Sequence, residues 1–88
     1  MTDGTPIFDP MIYDALLELE TRISGRYLAW VRQEETTETK NYWRDKARTL
    51  YREVHEVDSF NESQIQAKRQ ELRELWRSMP VDAPRLTA

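Results

Sequence analysis

The chain has no cysteine, two glycines, one histidine and no apolar run near the ~20 residues that a membrane-spanning helix needs. Without cysteine there can be no disulfide, iron–sulfur cluster or thiolate metal site, which suits a reducing compartment. Gly4 and Gly25 lie too far apart to build a phosphate-binding loop. His55, the single histidine, belongs to no HxxxH or ExxH pair, so it reads as a surface residue rather than a metal ligand. Ser24, Ser59, Ser63 and Ser78 have no base at a useful spacing. The expectation is no catalytic residue, no metal, no cofactor and no enzymatic activity. A basic start followed by an apolar stretch, the mark of a secretory signal, is also missing, so the chain reads as cytoplasmic with no membrane partner.

What the chain does have is helical patterning. Ile12, Leu16, Leu19, Ile23, Tyr27 and Trp30 form one apolar stripe; Trp43, Ala47, Leu50, Val54 and Val57 form a second; Ile65, Leu72, Leu75, Trp76 and Met79 form a third. Steps of three and four residues put each set on one face of a helix, and no segment alternates with period two. Helices are expected over about residues 10–33, 38–57 and 61–78. Residues 1–8 and 80–88 are expected to be flexible tails around a single domain. Short connections favour antiparallel neighbours, so the expected fold is all-α, a small antiparallel three-helix bundle. At 88 residues such a domain buries little more than ~60% of its unfolded surface, and the three Trp and four Tyr should carry much of its core.

Local signals mark each helix start. Asp9 suits the cap of the first helix, Pro10 its first position, and Phe8 with Tyr13 a hydrophobic staple. Thr36 or Thr37 suits the cap of the second. Asn61 with Gln64, or in a rival frame Ser59 with Glu62, opens the third, where Phe60 and Ile65 occupy the staple positions. Pro80 ends it. Gly25 interrupts the first stripe without breaking its phase, so the helix is expected to continue, with close packing of a neighbour as the reason for the glycine.

Charge is uneven. The first 20 residues contain Asp3, Asp9, Asp14, Glu18 and Glu20 and no basic residue, leaving 13 basic against 11 acidic residues in the remainder of a chain of net charge −3. Lys40, Arg44, Arg48 and Arg52 recur every four residues as a ridge beside the second stripe, and Arg69, Arg73 and Arg77 repeat the pattern. Like charges at this spacing repel, so something should compensate them: Asp14, Glu18, Glu71 or Glu74 within the bundle, or an external anion. A nucleic-acid partner would need a net basic face, and the acidic total argues against one. Arg44, Arg48 and Arg52 are secondary candidates for partner binding. Lys68 and Arg69 fall where the third stripe should continue and are expected to lay their stems on the core with their charged ends in water.

The first helix carries more apolar surface than one face requires, with Tyr13, Leu17, Leu28 and Val31 on a flank of the main stripe. Two explanations stand. Packing against both other helices would use two faces. Alternatively, Phe8, Tyr13 and Leu17 anchor a partner protein while Asp14 and Glu18 meet its basic pocket.

Over Leu16–Met79 the chain resembles the epsilon antitoxins, small acidic three-helix proteins that neutralise zeta toxins. The likeness lies in helix order and length, in Ser59-Phe60-Asn61-Glu62 at the third helix start, in Trp76-Arg77-Ser78-Met79 at its end, and in Arg26-Tyr27-Leu28. The first loop and Pro80 depart from the family pattern. The resemblance implies a partner, a P-loop kinase acting on a UDP-linked amino sugar, blocked when the antitoxin's N-terminal helix covers its nucleotide site. The rival expectations are a self-associating assembly protein of a phage or mobile element, a homo-oligomer, and a helical nucleic-acid-binding module.

Overall fold

A computed structural model describes residues 11–86. It is an antiparallel bundle of three helices, α1 (Met11–Gln33), α2 (Thr37–His55) and α3 (Glu62–Ser78), with no strand among the described residues. The expected fold is the observed one. Asp9, Pro10 and Phe8, the expected start signals of α1, lie outside the described residues.

Helix α1 is the centre of the molecule: α2 and α3 both pack along it and meet each other much less closely. Its two-sided apolar surface follows from this position, because each neighbour covers a different face. Leu16, Ile23, Val54, Ile65 and Leu72 are fully buried and join the three helices into one core, each contributing roughly 1.5–3 kcal/mol of burial. At one end of that core sits an aromatic cluster. The Trp30 and Trp43 ring centroids are 4.6 Å apart, and Tyr27 lies 5.6 Å from Trp30 and stacks on Trp43 at 6.0 Å.

The α1–α2 connection is three residues long and tightly bonded. The Lys40 ammonium donates to the Val31 carbonyl at 2.9 Å, neutralising part of the α1 C-terminus, and Trp43 Nε1 donates to the Glu34 carboxylate at 2.9 Å. Thr36, extended at φ −101°, is the cap of α2, and its Oγ1 accepts from the Thr39 N–H at 3.1 Å. Helix α2 ends at His55, two residues before the expected Val57, because Val57 N–H bonds the Val54 carbonyl in a tighter turn. Asn61 caps α3 by accepting from Gln64 N–H at 3.0 Å, which settles the frame against Ser59. The Gln64 side chain does not return to the cap residue; its Oε1 accepts from Asp58 N–H at 2.7 Å. Phe60 is 82% exposed while Ile65 is buried, so the expected staple does not bury the pair.

Two further expectations change. Gly25 sits on the exposed side of a continuous α1, with nothing within 4 Å of where a Cβ would stand, so close packing does not explain it. Gly25→Ala should therefore stabilise the protein by roughly 0.5–1 kcal/mol, read as a higher urea midpoint at unchanged slope. Residues 80–86 are not detached from the bundle. Arg26 Nη1 donates to the Met79 and Pro80 carbonyls at 3.2 and 2.8 Å, Trp30 Nε1 to the Val81 carbonyl at 3.1 Å, and Ala83 N–H to the Gln33 side chain at 2.7 Å. Arg26, Trp30 and Gln33 fall on one edge of α1, and this edge holds the segment while Met79, Ala83 and Leu86 pack on the core.

Candidate contact surfaces

The partner-binding candidates on α1 divide by burial. Tyr13 and Leu17 are half-buried and pack against the core, whereas Asp14 and Glu18 are exposed one turn apart; Phe8 lies outside the described residues. The N-terminal half of α1, from Met11 on, thus docks on the bundle rather than standing away from it. It still presents an acidic edge, Asp14 and Glu18, with Met11 64% exposed beside it. Because the helix is fixed from behind, that edge is preorganised, and a partner need not order it.

The α2 ridge has its own solution. Each four-residue step advances about 40° around a helix, so the ridge drifts from the α1 side toward solvent. Lys40 and Arg44 are half-buried, Arg48 and Arg52 exposed. Compensation comes from residues three positions earlier and not from Asp14, Glu18, Glu71 or Glu74: Arg44 donates to Asn41 Oδ1 at 2.9 Å and Arg48 pairs with Asp45 at 3.1 Å. Both partners of that ion pair are well exposed, so it adds little stability. No hydrogen bond or ion pair among the described residues joins Arg44, Arg48 or Arg52 to the α1 candidates.

Lys68 does more than lay its stem on the core. Its ammonium bridges Glu53 of α2 at 3.2 Å and Glu71 at 3.1 Å, tying α2 to α3 where their apolar contact is thin. Burial opposes its charge, but the hydrogen bonds to Glu71 and Glu53 outweigh that and hold its pKa above the usual lysine value. His55 stacks on Tyr51 at 3.9 Å, and its Nδ1 lies 2.9 Å from the Tyr51 carbonyl. That accounts for it as a local helix contact, and no group of His, Asp and Glu suited to a metal ion occurs among the described residues.

The Tyr27 hydroxyl is held above the ordinary tyrosine range. Burial raises its pKa first, and the nearby Tyr42 and Glu53 charges raise it further. The folded state holds this proton more tightly than the unfolded chain, so the associated stability is intact below the ordinary tyrosine value of ~10 and falls as pH rises through the folded pKa. An ultraviolet titration of phenolate should contain a step above the ordinary tyrosine value, and Tyr27→Phe should remove it.

Glu20 extends the first stripe, and Trp76 does more than fill the third. Glu20 is only 6% exposed, four residues after Leu16 and three before Ile23, in phase with the first stripe. No buried side-chain oxygen or nitrogen lacks a hydrogen bond among the described residues, so its carboxylate keeps access to water while its stem lies on the core. The phase of the stripe was sufficient to find it. Trp76 is half-buried, with Arg26 over its ring at 4.5 Å and Arg22 at 5.9 Å. Beside it, between α1 and α3, runs an open cleft of about 290 Å³ lined by Glu18, Arg22, Arg69, Arg73 and Arg77.

Compared with known protein families, curated proteins and solved structures, the chain matches none of the three.

Proposed function

We propose that this protein acts by contact, as a helical inhibitor that presents the acidic edge of α1 to a partner protein. The observation that carries this reading is the exposure of Asp14 and Glu18 on a helix whose other faces are held by the core. Carboxylates one turn apart on a rigid support complement a basic pocket, and a phosphate-binding site is such a pocket. The helix-end residues Trp76-Arg77-Ser78-Met79 and the start Ser59-Phe60-Asn61-Glu62 make a zeta-type P-loop kinase the first partner to test, with α1 covering its nucleotide site. In that arrangement Tyr13 and Leu17 supply apolar contact from their exposed sides, and Phe8 extends it. Co-expression tests the reading: the kinase and this protein should co-purify, and ATP binding by the kinase should be lost in the complex. Separate elution of the two would end the proposal.

A groove of about 350 Å³ between α2 and α3 favours a second reading, self-association. Tyr27, Leu50, Leu72 and Leu75 line it, and Tyr42 stands 44% exposed at its rim. Light scattering at rising concentration decides it, because only this reading predicts an oligomer of the isolated protein.

A further inference from the structure

The cleft between α1 and α3 collects Arg22, Arg69, Arg73 and Arg77 against a single carboxylate, Glu18. The contrast with α2 is informative. There, Lys40 reaches a helix-end carbonyl, Arg44 the neutral Asn41 amide and Arg48 the Asp45 carboxylate, and only Arg52 at the exposed end has no side-chain partner among the described residues. In the cleft, among the described residues, Arg69 has only the neutral Gln66 amide at 3.0 Å, Arg22 has the Trp76 ring, and neither the Arg73 nor the Arg77 side chain has a hydrogen bond or ion pair. Nearby carboxylates are otherwise engaged: Glu74 accepts from Gln70 at 3.0 Å, and Glu71 is taken by Lys68. The fold therefore gathers four cations, three of them at repelling four-residue spacing, against one carboxylate, and no ion pair among the described residues engages any of the four.

We infer that this cleft is a docking surface for an acidic helical segment of a partner protein, whose carboxylates engage the Arg69–Arg73–Arg77 ladder. Three observations favour that occupant. The ladder climbs about 6 Å per step, the same rise as carboxylates placed every four residues on a second helix, so one register satisfies all three forks. Guanidinium and carboxylate pair through two parallel hydrogen bonds, which gives the contact geometry as well as charge. A nucleic-acid strand fits less well. Arg26 and Arg22 already lie over the Trp76 ring where a base would stack, and Glu18 inside the cleft, within a protein of net charge −3, opposes a continuous phosphate backbone. This surface is on the α3 side of α1 and does not rest on the kinase-inhibitor reading.

The probe is a labelled, alanine-based helical peptide with glutamates at every fourth position. The control has the same composition with the glutamates spread around the helix. Anisotropy at low salt should report binding of the ladder peptide to the full chain, several-fold tighter than the control. The double substitution Arg73→Gln with Arg77→Gln should weaken it roughly tenfold with an unchanged melting curve, since both side chains are exposed. Glu18→Gln should tighten it by roughly two- to fivefold, because it removes a like charge from the cleft, whereas the kinase-inhibitor reading predicts that the same change weakens kinase binding. Equal binding of both peptides, or none, overturns the inference. So does a single-stranded oligonucleotide that outcompetes the ladder peptide, or self-association of the protein abolished by the double substitution, which would assign the cleft to phosphates or to a second copy.

Discussion

Trp30→Ala should leave the protein at or below its folding threshold. Trp30 is 2% exposed, and its ring meets both Trp43 and Tyr27, so its loss opens a cavity at the junction of α1 and α2. Deleting a buried tryptophan costs about 3–5 kcal/mol. A small domain at roughly 0.05–0.15 kcal/mol per residue has about 4–13 kcal/mol in total, so the substitution removes much of the margin. The indole N–H adds a second loss, because its bond to the Val81 carbonyl holds the C-terminal segment. Trp30→Phe separates the two effects: it keeps an aromatic ring in the cluster and drops only the donor and part of the volume, so it should cost about 1–2 kcal/mol. Urea unfolding followed by far-ultraviolet circular dichroism measures both. A Trp30→Ala protein with a wild-type midpoint would mean that the aromatic cluster does not support the fold.

A chain ending at Ser78 should be destabilised by about 2–4 kcal/mol. The removed segment brings a buried methionine side chain, worth roughly 1.5–3 kcal/mol, and the partners of four hydrogen bonds from the α1 edge, each worth about 0.5–1.5 kcal/mol before the cost of ordering the segment. A chain ending at Leu86 should melt like the full protein. The pairing also predicts non-additivity. Arg26→Ala should be costly in the full chain, where the guanidinium spans Met79, Pro80 and the Trp76 ring, and should lose most of that cost once the segment is gone. Additive effects would show that Arg26 and the segment act independently.

These two residues mark the boundary of what local sequence reveals. Helix positions are local matters, settled by caps and by the phase of apolar residues, and so Thr36, Asn61 and the three stripes place α1, α2 and α3 to within one or two residues. The docking of residues 80–86 is not local. Its donors bond backbone carbonyls more than 50 positions away, and a carbonyl has no side-chain identity to read. The compensation of the basic ridges is intermediate. Asn41 and Asp45 lie three residues before Arg44 and Arg48 and are visible in sequence, whereas the arginine cleft exists only because α3 lies beside α1 and brings Arg22 to Arg73 and Arg77. For the contact residues, sequence pattern showed a surplus of apolar surface on α1, and only packing divides it between core and exterior. Tyr13 and Leu17 are shared between the two, while Asp14 and Glu18 are exposed, Glu18 at the rim of the arginine cleft.

The role proposed for the acidic edge of α1 has a growth phenotype in cells expressing a zeta-type kinase. Co-expression of this protein should restore growth. Asp14→Lys with Glu18→Lys should abolish the rescue by weakening the complex about tenfold or more, while leaving the melting temperature within a few degrees because both positions are exposed. Rescue that survives the double charge reversal would contradict the account, and so would a protein that never protects at all.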